Sequence, residues 1–162
     1  MQLERILESE KFPYALGTLQ SRARVGIMEY SFVITDQEPW VINKVKGILE
    51  DTLKTQVYSS TVDYHGSNIT KTKYRLVLWS TSLMGFLRRV TRNNSTIPGF
   101  VNQTEEHRRN YIRGFFDSGA CVTYSPYTVA KSDFSLSYPR VIITKKNGGL
   151  SGRLAALLRN EG

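Results

Sequence analysis

Lys71, Lys73 and Arg75 are spaced two apart in the stretch T-K-T-K-Y-R-L-V-L-W, which is rich in β-branched and aromatic residues. Successive side chains of a strand face opposite ways, so this spacing gathers the three cations on one face. With Tyr74, Leu76 and Leu78 as the core side, Lys73, Arg75 and Val77 form the open side, and Lys71 sits nearer the preceding turn. Tyr58 and Ser60 are the matching candidates on the neighbouring strand. A second stretch, Arg140-Val141-Ile142-Ile143-Thr144, mirrors Ser31-Phe32-Val33-Ile34-Thr35 and sets Tyr138 and Arg140 outward. Arg24 and Lys131 complete the set. Such a surface suits a polyanion, although the same residues are common on a plain solvated sheet face. The whole chain leans the same way. Its 22 Lys and Arg against 14 Asp and Glu give a formal charge of +8, which favours polyanions through counterion release and steering.

Other chemistries find few residues. Two histidines and the single Cys121 are too few and too scattered for a zinc site. Cys121 has no histidine pattern near it and reads as a small strand residue. His65 reads as a solvated turn residue. Asn147-Gly148-Gly149 lacks the lysine-serine ending of a phosphate loop and reads as a turn. One cysteine permits no intrachain disulfide, which fits a reducing compartment. The chain has no apolar run of about 18 residues and no signal-peptide core. An intracellular chain is expected, in the cytoplasm, on the nucleoid or in an organellar matrix, with no membrane partner and no cofactor. Its 162 residues suffice for one sizeable domain.

The elements that must carry the cations alternate between helices and strand pairs. Residues 5–21 read as one helix, with Leu16 and Leu19 on one side. Residues 24–35 alternate as a strand, with Ile27, Tyr30, Phe32 and Ile34 apolar. Asp36 is a plausible N-cap for a helix over 38–54 with Pro39 at its first position, where Trp40, Ile42, Val45, Ile48, Leu49 and Leu53 form a core stripe. Strands follow over 56–64 and 70–79, joined by the turn His65-Gly66-Ser67-Asn68. A helix over 81–91 carries Leu83, Phe86, Leu87 and Val90. Beyond it come strands over 121–127 and 134–144, and a helical tail over 150–159 with Leu150, Leu154, Leu157 and Leu158 buried. Arg88, Arg89, Arg92, Arg108 and Arg109 read as phosphate contacts or solvated charge.

Residues 110–122, N-Y-I-R-G-F-F-D-S-G-A-C-V, hold a glycine inside a helical run. Such a glycine costs roughly 1 kcal/mol relative to alanine and usually stays because another backbone must come close. Residues 12–25, F-P-Y-A-L-G-T-L-Q-S-R-A-R-V, fall into line with this run when Gly17 is set on Gly114, an offset of 97 residues (114 − 17). Two glycine-bearing helices packed along each other are the natural outcome, with Leu16, Gly17, Gly114 and Phe115 at the seam. The pattern Ile112-Arg113-Gly114-Phe115-Phe116-Asp117-Ser118, with its partner near the N-terminus, resembles the LAGLIDADG homing endonuclease family over nearly the whole chain. That resemblance implies an α+β fold built from a duplicated α-β-β-α-β-β-α half-domain. Residues 1–96 would form the first repeat and residues 97–162 a second one shortened by its last hairpin and helix. It also implies strands lying in the major groove, where arginine engages guanine edges and other cations hold phosphates.

The departures bear on activity. In that family each motif helix ends in an acidic residue that holds a divalent metal at the scissile phosphates. Here the two positions are Arg22 and Gly119. Arginine cannot ligate a cation and glycine offers no ligand. Asp117 matches an earlier acidic position that serves the helix. The expectation is a catalytically inactive scaffold that binds duplex DNA, as a regulator or a mobile-element remnant. The alternatives are an RNA-binding, maturase-like splicing cofactor and a protein-interaction module such as a polymerase-binding regulator. A homodimer or docking onto another chain is compatible with the shortened second repeat.

Overall fold

Proline supplies no amide hydrogen, and Pro13 marks where the first expected helix divides. The computed structural model describes residues 2–22, 24–25, 31–36, 38–65, 70–81, 83, 85–86, 96–128, 135–143 and 148–159. In it α1 (Gln2–Glu8) ends before α2 (Phe12–Arg22) begins. Ser9 lies between them, and the Phe12 amide donates to its Oγ at 3.2 Å and its carbonyl at 3.3 Å. Pro13 has no N–H to return to a preceding carbonyl, so it is tolerated in a first turn and not in a helix interior. The single helix expected over 5–21 is therefore two helices.

β1 (Arg24–Val25) and β2 (Ser31–Asp36) pair antiparallel, so the continuous strand expected over 24–35 is also divided. Ile27 and Tyr30 lie outside the described residues. Asp36 is instead the last residue of β2. The N-cap is Glu38, extended and without a side-chain cap bond, followed by Pro39 as the first residue of α3 (Pro39–Leu53). A first-turn amide has no intrahelical partner, so proline loses nothing there. Ile42, Val45, Ile48, Leu49 and Leu53 are buried as expected, but Trp40 is 48% exposed. Val41 takes the core position instead, because Val41, Val45, Ile48, Leu49 and Thr52 follow the helical period.

α3 stops at Lys54, which is left-handed (φ 51, ψ 41) and returns its amide to the Glu50 carbonyl at 2.9 Å. The Glu50 carboxylate accepts from the Val57 amide at 2.9 Å and leads the chain into β3 (Tyr58–His65). β3 pairs with β4 (Thr70–Trp79) and β4 with β2, giving an antiparallel sheet in the order β1-β2-β4-β3. His65 pairs with Thr70 and so ends a strand, where a turn residue was expected. Ile34, Leu76 and Leu78 are buried in one cluster with Leu16, Leu19, Val45 and Leu49, so α2 and α3 cover this side of the sheet. Leu83 is buried in the same cluster and Phe86 packs against it. Arg88, Arg89, Arg92, Leu87 and Val90 lie outside the described residues.

The 3₁₀ turn η1 (Gly99–Asn102) leads to α4 (Glu105–Gly119). Thr104 caps α4 by accepting the His107 amide at 3.0 Å. His107 itself is buried, with Nδ1 3.0 Å from the Phe100 carbonyl. β5 (Ala120–Thr128) and β6 (Ser135–Ile143) form a second, two-stranded antiparallel sheet. The final helix, α5 (Gly148–Arg159), already includes Gly148 and Gly149, which were expected in a turn. Leu150, Leu154 and Leu157 are buried, whereas Leu158 is 40% exposed, since it falls one residue past the stripe.

The longest contact between helices is α2 along α4. A Cβ on Gly114 would lie against the Tyr14 carbonyl, 2.7 Å from its carbon, and a Cβ on Gly17 would lie against the Tyr111 carbonyl and 2.8 Å from the Phe115 amide. Only glycine permits either approach. The hydrogen bonds repeat the exchange. The Tyr14 hydroxyl donates to Asp117 at 2.9 Å, and the Tyr111 hydroxyl donates to Gln20 Oε1 at 2.5 Å. Tyr14 and Tyr111, Gly17 and Gly114, and Gln20 and Asp117 all stand at the same offset, so each contact has its counterpart with the helices exchanged. Leu16 and Phe115 are fully buried beside it. The buried Thr18 hydroxyl lies 3.1 Å from both the Tyr14 and Gly114 carbonyls.

Candidate nucleic-acid interface

Cross-strand partners share a face of the sheet, so the register shows which residues stand together. One row across the sheet is Arg24, Val33, Val77 and Tyr58; the next is Thr35, Arg75 and Ser60; then come Lys73 with Val62 and Lys71 with Tyr64. Ser31 and Trp79 form the row at the opposite end. All six first-sheet candidates (Arg24, Tyr58, Ser60, Lys71, Lys73 and Arg75) thus occupy register positions of a single face. It is the face away from α2 and α3, for Ile34, Leu76 and Leu78 hold the alternate positions and are buried. Tyr58, Ser60, Arg75 and Trp79 are exposed, and Lys73, Val62 and Val77 are half-buried.

The charges are segregated between the two faces. The described positions of the open face include four cations, Arg24, Lys71, Lys73 and Arg75, and no carboxylate. Asp36 and Asp63 belong to the alternate set, where Asp63 accepts from the Thr72 hydroxyl at 2.7 Å.

In the second sheet Tyr138 pairs with Ser125, Arg140 with Thr123 and Ile142 with Cys121. These positions also share one face, whose end is open, since Cys121 and Ile142 are both exposed. Lys131 lies outside the described residues. Of the remaining arginines, Arg109 pairs with Glu105 one turn back on the exposed side of α4, and Arg108 donates to the Asn102 carbonyl at 3.5 Å.

Arg22 is the last residue of α2 and Gly119 the last of α4. A Cβ on Gly119 would run into the Ser21 hydroxyl, 3.3 Å from its Cβ, so an acid there would have to push Ser21 aside. Asp117, two residues earlier, is engaged by Tyr14. Among the described residues no three His, Cys, Asp or Glu side chains cluster as a metal site would need. No helix of the described residues is long and apolar enough to cross a membrane.

Sequence reasoning missed two features. Trp79 continues the Lys73, Arg75, Val77 alternation by one step, yet it was not counted with the open face. The pairing of each seam tyrosine with Asp117 or Gln20 was foreshadowed by the offset that aligned the glycines.

The chain matches no family model and no curated protein. A similar solved structure is that of full-length DUF199/WhiA from Thermatoga maritima, at 10% sequence identity and a TM-score of 0.45. The match covers 99% of this chain and 66% of that one. A likeness this slight carries no argument about fold or function.

Proposed function

We propose that this chain is a double-stranded DNA-binding protein on a LAGLIDADG-like scaffold that does not cut its target. The observation that carries the reading is the open sheet face, with cations at four register positions and no carboxylate among them. Arginine there can engage base edges while lysine holds phosphates. The reciprocal Tyr14–Gly114 and Tyr111–Gly17 contacts support a duplicated half-domain arranged about the α2–α4 seam. Arg22 and Gly119 at the two helix ends support loss of hydrolysis, because neither can ligate a metal beside a phosphate. Such a protein would keep positioning and readout without chemistry, as a regulator or a mobile-element remnant does.

Selection from a random duplex library in EDTA, followed by incubation of the selected duplex with Mg²⁺ or Mn²⁺, tests both halves. Sequence-selective binding in EDTA with intact DNA afterwards is the expected result. Metal-dependent nicking, abolished by replacing a carboxylate, contradicts it.

A further inference from the structure

Tyr58 and Trp79 stand at the end of the open face away from the β3–β4 turn, with their ring centroids 6.3 Å apart and their planes tilted by 44°. They are 60% and 67% exposed, more than any other large apolar or aromatic side chain among the described residues. Aromatic residues left this open on a charged face point to a partner with a flat apolar surface. Within a duplex the faces of the bases are already stacked on each other, and only their edges and the backbone are available. An unpaired base presents its face and stacks on Trp or Tyr whatever its identity.

The cations fit the same ligand. Arg75 and Lys73 precede Trp79 by four and six residues on β4, which at the rise of a strand places them about 13 Å and 20 Å along the same face. An extended strand of a few nucleotides reaches from the aromatic pair past both. We infer that Tyr58 and Trp79 form a stacking platform for unpaired bases, so that the open face takes single-stranded nucleic acid, with Arg75 and Lys73 on its phosphates. The inference rests on the reading of this face as a nucleic-acid surface and names the form of nucleic acid it adds.

Trp40 is half-exposed on α3, so the test uses Trp40→Phe protein, in which fluorescence reports Trp79. The probes are an oligothymidylate of about ten nucleotides, the matching oligouridylate, and a blunt duplex of equal length. Oligothymidylate should quench Trp79 emission. Tyr58→Ala should weaken its binding about tenfold, as should Trp79→Ala read by anisotropy of the labelled strand. Both variants should leave the melting temperature unchanged and should weaken duplex binding far less than single-strand binding. Equal quenching by oligouridylate also supports the platform, since stacking ignores the sugar. Unchanged single-strand affinity in both variants overturns the inference, as does emission that responds only to protein concentration, which would mean that a second copy covers the pair. Duplex binding that survives either result leaves the proposed function standing. Failure of every probe to bind the unsubstituted protein at low salt removes both.

Discussion

Tyr111 shows how one hydroxyl can serve both the seam and the pH dependence of the fold. Burial pushes its phenol well above the ordinary value of 10.0, because the phenolate cannot form where water is excluded. Its contribution to stability is therefore fully present below that value. It is lost as pH rises beyond it, since the unfolded chain ionises first and the folded one lags. Urea unfolding of the wild type should weaken above about pH 10, by up to roughly 1.4 kcal/mol per pH unit from this group. Tyr111→Phe should flatten that slope and cost about 1–3 kcal/mol at neutral pH, because the buried Gln20 Oε1 loses its donor. Parallel slopes in the two proteins would count against the assignment. At Gly114, alanine would drive a methyl into the Tyr14 carbonyl, and a loss of about 1–3 kcal/mol or more is expected on urea unfolding. Gly17→Ala should cost a similar amount, since it meets the matching carbonyl of Tyr111. A large effect at only one of the two glycines would break the reciprocity.

At the scale of elements, the sequence was legible where periodicity ran unbroken and misleading where a local cap intervened. The long strand β4 and the stripe of α3 were readable because burial repeats along them with a fixed period. The division of α1 from α2 was not, because Leu16, Leu19 and Ile6 keep an apolar rhythm across it. The break depends on one hydroxyl, Ser9, and one missing amide, Pro13. The exposure of Trp40 and Leu158 has a similar origin, for each sits at the margin of a stripe and the helix phase, not hydropathy, decides its side. The cap of α4 makes the corresponding prediction. Thr104→Ala removes the acceptor of the His107 amide and should lower stability by about 1 kcal/mol, while Thr104→Ser should retain most of it. Equal losses for both substitutions would show that the hydroxyl is not what matters.

Across the whole molecule, two faces of one sheet divide the work. One is closed by α2 and α3 around Ile34, Leu76 and Leu78, and the other carries the register positions of Arg24, Lys71, Lys73 and Arg75. The motif runs anticipated the seam because close backbone approach leaves a glycine as its trace in sequence. They could not show which partner lies on the open face, since lysine, arginine and tyrosine at alternate positions also suit plain solvation. That question is electrostatic. Each phosphate neutralised by a cation releases counterions and steepens the fall of affinity with salt by about 0.9 in the logarithmic slope. The most direct measurement is the salt dependence of duplex affinity for the wild type, Lys73→Ala, Arg75→Ala and the double variant. Each single change should lower the slope by about one and the double change by about two. Four parallel lines would contradict the claim that this face holds the DNA.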